Sequence, residues 1–464
     1  MKLKNLLFFL AGPLAFTIIQ LIHPEGLSPQ GRAVLACSVW VAIWWMTEAV
    51  ELEVTSLLPI IIFPLSGALK VEAVASSYGN SYIYLFLGGF ILGLAVERCN
   101  LHKRIAYYII SHVGKGEKRI ILGFMIATGF LSMWLSNTAT TIMMLPIGLS
   151  VISHLGDNRK KFARSLMLGI AYAASIGGMA TLIGTPPNII LAGIIKESFG
   201  FEISFLTWMM FALPFSAILL FLTWIVLTSY KTEPVPDEEE ILMIEPGRMT
   251  VVEKRVLTVF LLTAFFWITR TFLWQRIIPG LDDTIIAMTG AVLMFLIPSG
   301  NADNEKLMNW DTARKLPWGI LLIFGAGLTI ALGFSSTDLT SWLAGLFVNF
   351  KAFPAFIILL LVIASINFLT EITSNTATAS MVLPLLVTLA ASLSMDPFHL
   401  MIGAALAASC AFMLPVATPP NAIVFSSGSV KIADMIKAGI VADLISIALI
   451  FLFVQYWWPV VFTR

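Results

Sequence analysis

The chain has 464 residues, of which 58% are hydrophobic and only 12% charged, whereas water-soluble domains carry about 45 to 50% apolar and about 25% charged residues. That mixture cannot clothe a soluble globule, and a net charge of +1 without a long basic tract argues against nucleic acid as a partner. Apolar runs long enough to cross a hydrocarbon core of about 30 Å recur throughout, so the fold is all-α and its solvent is lipid.

The basic start, MKLKNLLFFLAGPLAF, has no small-residue cleavage site before Pro24 and reads as a retained first span over 4–22. Ordinary spans are predicted at 32–50, 54–69 and 83–97. The apolar stretch 120–155 follows, and a single helix of about 36 residues would reach about 54 Å. It must turn, and Ser136-Asn137-Thr138 falls at its midpoint, where short polar side chains that bond nearby backbone favour a turn. The next segment, 165–195, is interrupted by Gly184-Thr185-Pro186-Pro187-Asn188. Paired prolines remove two amide donors and push the preceding residue out of helix, so this helix breaks inside the membrane. A span at 204–229 leads into one extended polar linker, 230–253, with prolines and a solvated acidic run. Spans at 254–272, 283–299 and 316–334 come next. The pattern then returns: 353–395 is centred on Ser374-Asn375-Thr376, 397–427 is interrupted by Ala417-Thr418-Pro419-Pro420-Asn421, and 437–460 closes the chain. The reading gives about eleven transmembrane helices and two re-entrant hairpins.

Lysine and arginine placement orients them. Both flanks of 120–155 are basic, which makes that hairpin enter from the cytoplasm, whereas the flanks of 353–395 hold only Lys351 and Asp396 and are external. With the N-terminus cytoplasmic and the C-terminus external, inside segments hold 21 of the 28 basic residues and outside segments 7.

The halves are copies. FLSMWLSNTATTIMMLP at 130–146 and FLTEITSNTATASMVLP at 368–384 share 10 of 17 positions, and GTPPN and ATPPN follow at similar distances. A weaker pair, LFLGGFILGLA at 85–95 and LIFGAGLTIAL at 322–332, precedes them. An odd number of crossings per copy inverts the second, the arrangement in which transporters place substrate and ions near the midplane on discontinuous helices. Carbonyls freed at such breaks suit Na⁺, while helix N-termini, Asn and Thr suit a carboxylate. None of the four motifs contains Lys or Arg, so an anion there must be met by amides, hydroxyls and co-bound cations. A lone SNT or TPPN would mean only a turn or a kink; two matched pairs mean a site. Glu371 is an intramembrane acid whose counterpart is Met133, and it reads either as a proton or ion group or as a paired structural acid. Glu48 reads as a structural or helix-end group. The three cysteines have no metal-ligand spacing, and the five histidines fall at or outside the ends of apolar segments.

The paired SNT and TPPN motifs, with WWMTEA at 44–49 and FLGGFILGLAVERCNLHKRIA at 86–106, resemble the divalent anion–sodium symporter family over essentially the whole chain, most of all its bacterial dicarboxylate members. The resemblance implies a homodimer in the cell (inner) membrane working as an elevator-type transporter. Residues 1–118 and 254–352 would form a scaffold, and 119–229 and 353–464 a transport domain, with 230–253 as a cytoplasmic linker. One sodium ion would be held by Ser132, Ser136, Asn137 and the Gly184 carbonyl, a second by Thr370, Thr373, Asn375 and the Ala417 carbonyl. The substrate would meet Asn137, Thr138, Ser374, Asn375 and Thr376, with Thr418 and Pro419 shaping selectivity. The family often has prolines after WWITEA where this chain has Glu51 and Glu53, residues expected to lie outside the site.

The expected activity is sodium-driven symport of a C4 dicarboxylate such as succinate, malate or fumarate. Sodium-independent exchange, or citrate or sulfate as main substrate, are the rivals within transport. An intramembrane hydrolase would need a Ser/His or paired-Asp arrangement at depth, which the motifs lack, and a channel would not require inverted broken helices. No enzymatic activity is expected.

Overall fold

The computed structural model describes residues 3–114, 116–155, 159–229, 245–300, 305–347 and 352–462. Most of the predicted linker, 230–244, lies outside the described residues, as do Lys2, Lys115, Lys231, Lys351 and Arg464 of the charge argument. Among the described residues every regular element is helical, apart from one isolated bridge between Pro298 and Lys306. Eight helical stretches are long and apolar enough to cross a membrane.

Helix α1 (Leu3–Ile22) packs along α2 (Pro29–Thr47). Ser28 caps α2 by accepting the Gly31 amide, with Pro29 preset in the first turn. Glu48 ends α2 in the left-handed conformation, φ 47°. The predicted span 54–69 is not one helix but two, α3 (Leu52–Thr55) and α4 (Leu58–Leu65). Pro59 has no amide to donate to Thr55, so the ladder cannot continue through Ser56 and Leu57. The eight residues of α4 rise only about 12 Å. After α5 (Val71–Tyr78), Asn80 caps α6 (Ser81–Arg98) through the Tyr82 amide. Next comes α7 (Leu101–Val113), which buries Leu101, His102, Ala106 and Ile110 along one stripe and exposes Lys103 and Tyr108. Such one-sided burial suits a helix lying along the membrane interface.

The first SNT segment is a helical hairpin, α8 (Glu117–Ser132) and α9 (Asn137–Leu155), joined by residues 133–136. The first broken helix is α10 (Lys160–Gly178) and α11 (Pro186–Phe199), with 179–185 outside either helix. Glycine lets α10 meet α8: a Cβ on Gly177 would stand 2.1 Å from the Gly129 carbonyl oxygen. Ser204 then caps α12 (Phe205–Leu227).

The second half opens with α13 (Val251–Thr269), set by a Thr250–Glu253 capping box, so the last three residues assigned to the linker are already helical. A π-turn at Arg270–Trp274 leads to α14 (Gln275–Ile277). Then follow α15 (Asp283–Leu296), α16 (Trp310–Ala313), α17 (Trp318–Ser336) and α18 (Leu339–Phe347). The second hairpin is α19 (Ala355–Thr370) and α20 (Asn375–Leu393), and the second broken helix α21 (Pro397–Ala407) and α22 (Pro419–Ser426). Helix α23 (Ile432–Leu452) and, past a second π-turn, α24 (Trp458–Phe462) complete the fold.

The hairpin arms repeat in length, 16 residues in α8 and α19 and 19 in α9 and α20. The broken helices do not, since α21 and α22 have 11 and 8 residues against 19 and 14 in α10 and α11. The backbone outside helix therefore grows from 179–185 in the first copy to 408–418 in the second, and its buried amides need partners from elsewhere. One large apolar core runs through both halves. A second cluster joins α2, α4 and α5 to α17 and α18 through Val34, Trp45, Phe63, Val74, Ile330 and Leu343.

Candidate functional site

Four helices begin at one place. A cavity of about 700 Å³ is lined by the starts of α9 (Ser136, Asn137, Thr138), α11 (Gly184, Thr185, Pro186), α20 (Thr373, Ser374, Asn375, Thr376) and α22 (Ala417, Thr418, Pro419). The sequence fixes each start locally. Asn137 and Asn375 are first residues of their helices, and the Ser136 hydroxyl accepts the Ala139 amide at 3.2 Å. Thr185 and Thr418 hold extended backbone at φ −144° ahead of the paired prolines. Proline there removes only amides that would have had no helical acceptor. First-turn amides of α9 and α20 likewise have no preceding helical carbonyl, so N–H groups and positive dipole ends converge on the cavity. Among the described residues, no Lys, Arg or His lines it.

Behind this floor lie two oxygen clusters. Ser132, fully buried, has its Oγ 2.6 Å from Asn137 Oδ1 and 2.6 Å from the Ala174 carbonyl oxygen. Thr370, in the same place in the second copy, has its Oγ1 2.7 Å from Asn375 Oδ1 and 3.0 Å from the Ala408 carbonyl oxygen. A hydroxyl carries one proton and cannot donate to both acceptors at once. Each cluster thus holds more oxygen lone pairs than protons, the donor set of a hard monovalent cation. Gly178 opens the first cluster, because a Cβ there would stand 2.5 Å from Asn137 Oδ1 and 3.0 Å from the Gly184 carbonyl oxygen. Thr373 is partly committed elsewhere, with its hydroxyl 2.9 Å from the Leu369 carbonyl oxygen and 2.6 Å from Thr378 Oγ1.

All of the residues expected to hold sodium or substrate therefore meet, with Ser132 and Thr370 behind the floor and the others in its lining. Glu51 and Glu53 were expected outside the site, and for Glu53 this is corrected: it lines the cavity wall, as does Glu48, the left-handed residue that ends α2. The left-handed turn at Glu48 leads the chain from α2 into α3, which carries Glu53, a local event that the motif did not announce. Phe86, Phe90, Ile320 and Ile323 complete the apolar part of the wall.

The last residue of each TPPN motif has a role that spacing alone did not supply. Asn188 Nδ2 donates to the Thr181 carbonyl at 2.7 Å and the Met179 carbonyl at 3.1 Å. Asn421 Nδ2 donates to the Leu414 carbonyl at 3.0 Å and the Ala411 carbonyl at 3.1 Å. Each staples the non-helical segment that precedes its own helix. The second segment is longer, and Glu371 serves it: Oε1 accepts the amides of Phe412 at 2.5 Å and Met413 at 2.9 Å, and Oε2 that of Leu414 at 3.0 Å. Of the two readings left open for Glu371, the structural acid is the one these contacts support. In the first copy the equivalent residue, Met133, offers only its backbone carbonyl, to the Thr181 hydroxyl at 2.6 Å.

Known proteins resemble this chain along nearly its whole length. The family model described as the sodium:sulfate symporter transmembrane region matches residues 3–463. A sodium-dependent dicarboxylate transporter, SdcS, of Staphylococcus saprophyticus is 45% identical over 98% of this chain and 92% of its own length. The SdcS protein of Staphylococcus aureus strain USA300 is 44% identical with the same coverage. Among solved structures, the YdaH transporter of Alcanivorax borkumensis superposes with a TM-score of 0.61 at 15% identity, over 83% of this chain and 87% of that one. At that identity the likeness speaks for the fold alone. The relatives at 44 to 45% identity are named as transporters, not enzymes.

Proposed function

Because this chain belongs to the sodium:sulfate symporter family, we propose that it is a secondary transporter coupling inward movement of a C4 dicarboxylate to co-bound sodium ions. The observation that carries the reading is the convergence of four helix N-termini on one cavity lacking any basic side chain. Such a floor attracts a dianion only weakly by itself, because helix ends supply partial charges of about half a unit. Cations in the Ser132–Asn137 and Thr370–Asn375 oxygen clusters supply the missing charge, and the shared asparagines join the two ligands. Coupling then follows from electrostatics: neither ligand is well bound without the other. The names of the staphylococcal relatives favour dicarboxylate over sulfate as cargo. Fumarate and succinate present a carboxylate at each end, which fits a floor with an Asn-Thr pair on either side.

In this reading α8–α12 and α19–α24 move as one transport domain against a scaffold of residues 1–118 and 254–352, in a homodimer of the cell membrane. The inverted repeat supports that division. The charge-derived orientation puts the ends of the wall formed by Glu48, Glu53 and Ile320 on the cytoplasmic side, so the cavity is open inward. Uptake of labelled succinate into proteoliposomes, with sodium, lithium or a proton gradient alone, tests the proposal. Sodium-dependent uptake is expected to vanish in both Asn137→Ala and Asn375→Ala, while each protein still elutes as a folded species. Undiminished uptake in either variant overturns the site assignment, and uptake indifferent to sodium overturns symport.

A further inference from the structure

We propose that Glu53, with Glu48 beside it, makes the cavity select its anions by valence, admitting dianions and rejecting trianions. The inference rests on the anion-transport reading above. The cavity floor is polar but uncharged, and Glu48 and Glu53 are the charged side chains among its lining residues. Both are exposed, whereas the Asn, Ser and Thr residues of the floor are buried or half-buried, so the carboxylates form the rim. Their places on the wall follow from the fold. Glu48 is fixed in the left-handed conformation at the end of α2. Glu53 lies against Gly319 at the start of α17, where a Cβ would stand 2.1 Å from its Cγ and 2.2 Å from its Oε1.

A fixed negative potential acts on a ligand in proportion to the ligand's charge. Low-dielectric walls concentrate that potential, and salt screens it. Removing one rim charge therefore changes the logarithm of affinity in the ratio 1:2:3 for mono-, di- and trianions, and in the opposite direction for a sodium ion. Lost packing gives no such ordering. For a dianion the rim's repulsion is offset by the two cations that the oxygen clusters accept; a trianion carries one charge more than they neutralise. The same rim raises the local cation concentration, which favours loading sodium before the anion.

The experiment compares succinate with tricarballylate, a tricarboxylate of similar backbone, at a pH where both are fully ionised. Competition of each against labelled succinate is measured in membrane vesicles of both orientations for wild type, Glu53→Gln, Glu53→Asp and Glu48→Gln. Glu53→Gln is expected to strengthen tricarballylate relative to succinate by at least about threefold and to raise the sodium concentration giving half-maximal uptake. Glu53→Asp keeps the charge and is expected to keep the wild-type ratio. A ratio unchanged by Glu53→Gln in both orientations, or an equal change for both anions, overturns the proposal. If a variant transports too slowly, equilibrium displacement of labelled succinate from the detergent-purified protein gives the same ratio. Absence of sodium-dependent succinate binding and uptake in the wild type would instead strike the transport reading itself.

Discussion

Glu371→Ala is the substitution whose consequence can be worked furthest from the geometry. The carboxylate accepts three consecutive amides, from Phe412, Met413 and Leu414, at 2.5, 2.9 and 3.0 Å. Truncation leaves three N–H groups without acceptors in a non-helical segment at membrane depth, at about 1–3 kcal/mol each, hence about 3–9 kcal/mol if no water enters. Only bonds to its carbonyls then restrain that segment, from Asn421 to Ala411 and Leu414, from Asn367 to Cys410 and from the Tyr172 hydroxyl to Phe412. The Ala417 carbonyl and the start of α22 lie immediately downstream, so the second oxygen cluster should loosen while the first, stapled separately by Asn188, stays formed. Glu371→Gln keeps one acceptor oxygen but turns an amide toward one donor, at about 1–3 kcal/mol. The equivalent change in the first copy, Met133→Ala, removes apolar contact and no amide acceptor, at about 2–5 kcal/mol. Detergent melting temperatures and sodium titrations of succinate uptake should therefore rank Glu371→Ala as most damaged, Glu371→Gln as intermediate, and Met133→Ala as altered in stability with a near-normal sodium curve. A Glu371→Ala protein with the wild-type melting temperature and sodium curve would refute the reasoning.

Gly178→Ala places a Cβ 2.5 Å from Asn137 Oδ1 and 3.0 Å from the Gly184 carbonyl oxygen, so the asparagine must shift out of the first oxygen cluster. The sodium concentration for half-maximal uptake should rise at least about tenfold, whereas Gly403→Ala, which meets the ends of the Ile363 and Leu359 side chains at 3.1 to 3.4 Å, should leave it within about twofold; similar curves for the two variants would count against the first oxygen cluster. At the start of α21, burial pushes the Asp396 carboxyl up, but hydrogen bonds from His399 and the Phe398 amide outweigh it and hold the group below its ordinary range. The folded-state pKa is thus the lower one, so the stabilisation is complete above the unfolded value of about 4 and is lost as pH falls through the folded value. Asp396→Asn can still cap the helix, and its melting temperature should lack the part of the acid decline that wild type shows below about pH 4, an effect of about 1 kcal/mol or less at so exposed a position; identical acid profiles would exclude the linkage.

What could be read from the sequence was whatever is decided by local chemistry. Asn137 and Asn375 open helices, and Pro186 and Pro419 begin them after a break, because side-chain acceptors and missing amides act within a turn of their own position. Their duplication supplied the rest, since two copies of an incomplete site imply a place where the copies meet. Glu53 could not be located this way. Its position depends on the left-handed turn at Glu48 and on contact with Gly319, far along the sequence. Nor could the work of Glu371 be assigned, because its three donors are 41 to 43 residues away and are exposed as a need only when the second broken helix proves shorter than the first. That difference separates the two halves of an otherwise matched site. The first non-helical segment is short and is held by neutral bonds from Asn188 and Thr181; the second is longer and is held by a carboxylate as well. Charge-assisted bonds are the stronger and fail together when their one acceptor is lost. Sequence symmetry therefore predicts two cation sites, but the bonds that hold them predict that the amides beside the second depend on one carboxylate and those beside the first do not.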